Sequence, residues 1–353
     1  MWVLGVESSC DETAAAVVDE RGHVRSDVVR SQADLHAPYG GVVPELASRD
    51  HMRAITVVIS EALLRAGAKL GDIDGVAVTA RPGLSGALLV GVQVAKGIAW
   101  ATGLPIVAVD HLVGHLLAVF LKRDETPSAE PPLPFVALLA SGGHTAIYRV
   151  DEARASAIRE LGATRDDAAG EAFDKVAKAL GLGYPGGPIV DRLAAEGDAS
   201  RIRIPSPMAR RDSLEFSFSG IKSLVARQVS EHGRPTDPAA VADFCAAFQR
   251  AVVRSLVSKT IRAARAEGVA AVVLAGGVAA NRGLRAAAAR ACAEAGLSLF
   301  VPPASSCTDN AAMIAYAGAL RLSRGERDDL GFAVSTRTEL QRVTRKGGGA
   351  RRA

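Results

Sequence analysis

The chain has 353 residues, of which 48% are hydrophobic, 23% charged and only 4% aromatic, and its net charge is +4. Such a balance excludes a disordered or fibrous chain and predicts an α/β protein with a large buried core, and because one core seldom fills this length, two lobes are expected. No uninterrupted apolar run approaches the roughly 18 residues of a membrane span, and the opening MWVLGVESSCDET has no basic region, so a cytoplasmic, unexported chain with no membrane partner is expected.

At the start, WVLGV, the turn ESSCDET and AAAVVD read as strand, turn, strand, with Asp11 and Glu12 on the turn. Next, VAVTARPGLSGALLVGVQVAKGIAWA reads as a strand whose glycine-rich turn opens a helix. Backbone N–H groups at such a helix start stabilise anionic phosphate, although a tight α/β turn is the alternative. The stretch VDHLVGHLLAVF, Val109 to Phe120, predicts a helix that carries His111 and His115 on one face. At this spacing both imidazoles reach one ion, but spacing alone leaves a chance pair open. Leu112 stands where a zinc protease needs the glutamate of HExxH, which weighs against that chemistry. The segment LKRDETPSAEPPLP, rich in proline and charge, reads as a linker.

Beyond it the pattern returns. FVALL, ASGGHT and AIYRVD repeat the hairpin, Val3 aligning with Val136 and Thr13 with Thr145. VVLAGGVAANRGLRAAAARACAEA repeats the strand, glycine turn and helix. The expected domains are therefore a first lobe over 1–121, a linker over 122–134, a second lobe over 135–320, a return segment over 321–337 and a disordered tail over 338–353. SSCTDN offers Asp309 as a third metal ligand, which spacing cannot assign. The tail QRVTRKGGGARRA has five basic residues and no acidic one, which permits a polyanionic partner without demanding it. The cysteines, at positions 10, 245, 292 and 307, form no CxxC and predict reduced thiols rather than a disulfide framework or a cysteine zinc site.

Two matched units, each repeated in the same order, resemble the superfamily of actin, sugar kinases and heat-shock chaperone ATPases (ASKHA), an α/β fold of two lobes with a nucleotide cleft between them. More specifically, GVESSCDET, YGGVVPELASRDH, PGLSGALLVG, HLVGH, SGGHT, DDAAGEAFDKVAKALGLGYPGGP, FSFSGIK, AGGVAANR and CTDNAAMIAYAG occur in the order seen in the TsaD family, between Val3 and Val334. The resemblance implies transfer of a threonylcarbamoyl group from threonylcarbamoyl-AMP to N6 of adenosine 37 in tRNAs that read codons beginning with A. It implies one metal ion per subunit, Fe2+ or else Zn2+, on His111, His115 and Asp309. It places the adenylate on Leu139, Ala140, Ser141, Gly142 and Gly143, with Asp174 and Asp191 toward the ribose, Gly187 leaving room for it, and Gly276, Gly277 and Asn281 flanking the adenine. For Asp191 a plain helix-start acid is the alternative. Asp11 or Glu12 is the expected proton acceptor, Asp11 being equally a turn-former. The implied partners are tRNA, a TsaB-like paralogue and a TsaE-like ATPase. The chain departs from the family pattern at Val113, where HxEGH has Glu, and at Arg81, Ala140 and Ser223. A phosphotransferase of the same fold, with no need of the histidine pair, is the competing reading.

Overall fold

A computed structural model describes residues 1–123, 129–205, 213–220, 224–225, 227, 234–235 and 237–343. Its strands are β1 (Trp2–Glu7), β2 (Glu12–Asp19), β3 (Val24–Ser31), β4 (Gly75–Arg81), β5 (Ile106–Asp110), β6 (Phe135–Ala140), β7 (Thr145–Val150), β8 (Ile158–Ala163), β9 (Ala271–Ala275) and β10 (Ser298–Phe300). Its helices are α1 (Ala33–His36), α2 (Pro44–Arg65), α3 (Ser85–Thr102), α4 (His111–Leu117), α5 (Ala169–Leu180), α6 (Gly186–Ala194), α7 (Pro238–Ala266), α8 (Arg282–Ala295), α9 (Ala304–Cys307) and α10 (Ala311–Ser323). Among the described residues no helix is long and apolar enough to cross a membrane. All four cysteines are free.

The chain divides into two compact units. The first holds Met1–Glu130, Glu152–Ala157 and Pro302–Leu340; the second holds Pro131–Asp151, Ile158–Val301 and the chain from Gln341. In the first unit the strand order is β3-β2-β1-β4-β5, with β1 antiparallel to β2 and parallel to β4. Apolar runs such as WVLGV and AAAVV suit strands buried on both faces, and the polar VRSDVVRS forms the edge. Leu4, Val6, Ala15 and Val17 pack with Ala54, Ile55 and Val58 of α2 and with Val92 and Ala95 of α3. The opposite face is covered by α10, and there the fit is close. A Cβ added to Gly5 would lie 2.4 Å from the Ala311 carbonyl oxygen, and one added to Gly318 would lie 2.2 Å from the Ala77 Cβ.

The second unit repeats this arrangement in the order β10-β9-β6-β7-β8, with β6 antiparallel to β7 and parallel to β9. Each sheet is thus a three-stranded antiparallel meander extended by two parallel strands, of which the paired sequence units predict the hairpin and one parallel strand.

Two of the expected boundaries, those of the second lobe and of the tail, differ in the structure. Residues 302–320, expected in the second lobe, belong to the first unit, because the small-residue face of α10 matches Gly5 and Ala77 on the first sheet. The chain passes from the first unit to the second at Glu130 and Pro131, inside the expected linker over 122–134, at whose start the Lys122 N–H donates to Gly22 O at 2.8 Å and Arg123 pairs with Asp27; residues 124–128 lie outside those described. The tail expected from 338 is held as far as 343. Thr338 Oγ1 donates to Asp110 Oδ2 at 2.5 Å, the Glu339 N–H donates to the same oxygen at 2.9 Å, and the Val343 N–H donates to Glu160 Oε1 at 3.2 Å. Residues 344–353 are outside those described.

Candidate metal centre and glycine-turn site

Strand β5 ends at Asp110, whose carboxylate accepts the Leu112 N–H at 2.9 Å and caps α4. The helix therefore starts at His111 rather than at Val109, and its end tightens into a 3-10 turn over Ala118–Phe120. One helical turn separates His111 from His115, and their rings meet edge to face with centroids 4.6 Å apart. Asp309 precedes Asn310, whose side-chain oxygen accepts the Met313 N–H at 3.0 Å and caps α10. Just upstream, Arg123 donates to Ser306 Oγ at 2.8 Å and to Asp27 Oδ2 at 2.5 Å, tying this loop to β3. Asp309 Oδ1 consequently lies 3.0 Å from His115 Nε2 and 3.5 Å from His111 Nε2. The three ligand atoms lie within 4.8 Å of one another, all in the first unit. Two imidazole nitrogens and one carboxylate oxygen fit a divalent cation and leave coordination positions open, but this donor set does not separate iron from zinc.

Behind His111 stands a residue that sequence reading missed. Glu7, fully buried at the end of β1, lies 2.9 Å from His111 Nδ1 through Oε2, and that oxygen also accepts from Thr79 Oγ1 at 2.6 Å. Ser9 Oγ is 3.3 Å from the same imidazole nitrogen. A ligand-orienting carboxylate thus comes from β1, although Val113 occupies the place where the family pattern has one on the helix. His115 has no such support, since its buried Nδ1 has no hydrogen-bond partner among the described residues.

Burial disfavours charge throughout this cluster, and its outcome depends on neighbours. For His111 burial works downward, but Asp309 and Glu7 outweigh it and raise the imidazole well above its ordinary value. Burial would raise Asp309, yet the His111 charge and bonds from both histidines hold its carboxyl well below the usual range. Glu7 behaves alike, burial being overcome by His111. His115 is lowered, chiefly by burial. Glu7 and Asp309 thus bring two carboxylates to the one His111 ring.

The turn between β1 and β2 lies against this cluster. Burial, together with Asp309 and Asp11, pushes the Glu12 carboxyl well above its ordinary value. His51 steadies the turn through Nε2, 2.9 Å from Cys10 O, and through Nδ1, 2.7 Å from Thr13 Oγ1. The Arg81 guanidinium donates to Glu339 Oε2 at 2.6 Å.

In the second unit, the turn after β6 brings Ser141, Gly142 and Gly143 together. The Ser141 N–H donates to His144 O at 2.8 Å, and open space lies where a Cβ of Gly142 or Gly143 would stand. Gly276, at φ +83°, packs against Ala140, whose carbonyl oxygen would be 2.5 Å from an added Cβ. Leu139, Ala140, Gly276 and the following Gly277 are thus adjacent. Asp174 accepts the Gly186 N–H at 2.7 Å, and open space lies beside Gly187. Asp191 and Asn281 are occupied differently. Asp191 pairs with the Arg282 guanidinium at 2.9 Å, while Asn281 caps α8 by accepting the Leu284 N–H at 2.8 Å and donates to Gln249 at 2.6 Å. The segment Ile221–Ser223 of the FSFSGIK motif and its neighbour lies outside the described residues.

A duplicated strand-and-helix topology of the ASKHA fold carries a two-histidine, one-aspartate cluster that could hold a metal ion. Component A of the (R)-2-hydroxyglutaryl-CoA dehydratase of Acidaminococcus fermentans shares the fold, with a TM-score of 0.54 at 17% identity over 92% of this chain and 99% of that one. The TsaD family profile, described as tRNA N6-adenosine threonylcarbamoyltransferase, matches residues 23–316. A relative of that name from Sorangium cellulosum is 70% identical over 99% of this chain and 100% of its own length. Another from Anaeromyxobacter dehalogenans is 55% identical over 92% of this chain and 95% of its own. The chain belongs to the TsaD family.

Proposed function

We propose that the protein transfers the threonylcarbamoyl group of threonylcarbamoyl-AMP to N6 of adenosine 37 in tRNAs reading codons that begin with A. The observation that carries this reading is the convergence of His111, His115 and Asp309 in a chain so similar to relatives named for the reaction. The substrate is a mixed anhydride, so AMP leaves readily, whereas the purine amine is a weak nucleophile and must lose a proton. A divalent cation on the three ligands, Fe2+ or Zn2+ and one per subunit, would supply Lewis-acid polarisation of oxygen.

The protein's own residues do the remainder. Glu12 or Asp11, on the turn that lies against the metal ligands, takes the amine proton. The Leu139–Gly143 turn receives the phosphate, because two glycines with open space above them let backbone N–H groups approach closely. Asp174 and the space beside Gly187 serve the ribose. Gly276 and Gly277 flank the adenine, while Asp191 and Asn281 act by fixing the start of α8 against that turn.

The implied protein partners are a TsaB-like paralogue and a TsaE-like ATPase. What supports a partner on the first unit is apolar surface: α2 and α3 leave Met52, Val57, Leu64, Leu89 and Trp100 exposed. A cytoplasmic location follows from the tRNA substrate. The test combines the protein with threonine, bicarbonate, ATP, an adenylate synthase and unmodified tRNA, with and without the partners, followed by mass spectrometry of the digested tRNA. Threonylcarbamoyladenosine is expected, and His111→Ala or Asp309→Ala should remove at least 100-fold of the rate. Absence of the product under every combination would overturn the reading.

A further inference from the structure

Charge is unevenly spread along the chain. Helices α7 and α8 together carry eight basic residues, Arg250, Arg254, Lys259, Arg262, Arg265, Arg282, Arg285 and Arg290, against only Asp243 and Glu294. Their excess is larger than the +4 of the whole protein, so the rest of the chain is slightly acidic and the positive potential is local. Between the two helices, which pack side by side, and the chain at Ala194, Gly197 and Ala199 runs a groove of about 510 Å3. Ala246, Val253, Val257, Ala287 and Ala291 line it, and Arg250, Arg254 and Arg290 stand around it. All three arginines are exposed, and none forms an ion pair with a described residue.

The row extends past the groove. At about 100° per residue, Arg250, Arg254 and Arg265 fall within one narrow stripe of α7, and at about 1.5 Å per residue they cover roughly 22 Å of helix. A ligand the size of a mononucleotide would need only one end of this row. We infer that the α7–α8 groove is a docking surface for the sugar-phosphate backbone of RNA, with the arginines on successive phosphates and the alanine and valine floor under ribose and base. Alanines keep the floor shallow enough for a strand to lie along it, and guanidinium planes both pair with phosphate and stack on unpaired bases. The inference rests on the reading of the protein as a tRNA-modifying enzyme, and names where that substrate is gripped outside the reacting centre.

The test measures binding of unmodified tRNA by fluorescence anisotropy from 50 to 300 mM KCl, for the full-length protein with its partners and for R250A/R254A/R290A. The three side chains are exposed, so the variant should keep its fold, which circular dichroism and the melting temperature will verify. Loss of three phosphate contacts should weaken binding at least tenfold at physiological salt and lower the slope of log K against log salt by about three. Replacement of all three by lysine should restore the slope. An unchanged Kd and slope would overturn the inference, as would displacement of the tRNA by a polyglutamate peptide of equal charge at equal concentration, which would mark a general acidic-chain site. Product formed by the unaltered protein keeps the enzymatic reading separate from either failure.

Discussion

The partner of a metal-ligating histidine's other nitrogen orients the ring, so Glu7 decides which nitrogen of His111 faces Asp309. His115 lacks an equivalent partner among the described residues, which leaves Glu7 as the main orienting group of the pair. Glu7→Gln keeps the shape and removes the charge; it should weaken Co2+ or Zn2+ binding 10- to 100-fold in calorimetric titration. Unchanged affinity would show that the helix alone orients the ligands. Glu7 was not legible in the sequence because it closes an apolar strand, and its partners Thr79 and His111 are 72 and 104 residues away. Asn281, expected beside the adenine, also caps α8: its amide oxygen accepts the Leu284 N–H, while its amide nitrogen donates to Gln249. A second buried group makes an independent prediction. Lys259 lies over the Phe216 ring and donates to Glu215 O, and burial, with Arg262 nearby, lowers its ammonium to about 8. The unfolded chain, with an ordinary lysine near 10.4, binds more protons between those values, so stability should rise with pH from about 8 to 10.4. Lys259→Met should remove that component, measured as the difference between the two proteins in urea unfolding.

Helix α10 shows how an element acts on the site at its head. Its sequence AAMIAYAGAL is small along the face that meets β1 and β4, where Gly5 and Gly318 permit near-backbone contact. Gly318→Ala would place a methyl 2.2 Å from the Ala77 Cβ, a neighbour with no rotamer to change, so the helix itself must shift. Overpacking of this kind costs about 1–3 kcal/mol. Because Asp309 sits two residues before α10, metal affinity should fall along with stability. Gly97→Ala is the control: it lies on the exposed face of α3 with open space around it, and should stabilise by about 0.5–1 kcal/mol without altering metal binding. Equal effects of the two substitutions in urea unfolding would refute the packing argument. The hairpins and strand–glycine–helix units were legible because their signals are local: alternation, turn glycines and helical period. That α10 is a helix was equally legible. Which sheet it covers was not, since alanine and glycine spacing describes a close-packed face without naming its partner.

At the scale of the whole molecule, chain order and spatial order part company. The first unit takes its sheet from residues 1–130 and the cover of one face, together with its third metal ligand, from 302–340. A fragment ending at Glu130 would leave the α10 side of β1, β2 and β4 in water, including Val3, Ala77 and other positions buried in the intact chain. At about 25 cal/mol per Å2 of apolar surface, losing a helix with nine buried residues removes several kcal/mol from a fold whose margin is about 5–15 kcal/mol. Residues 1–130 alone should therefore aggregate and bind a hydrophobic dye. Joined through a flexible glycine-serine linker to 302–340, the same residues should unfold cooperatively and bind one Co2+ per chain, with binding abolished by Asp309→Ala. If the shorter fragment folds and binds the ion equally well, α10 and Asp309 are dispensable to the centre, and the grouping of two histidines with an aspartate from the far end of the chain loses its structural basis.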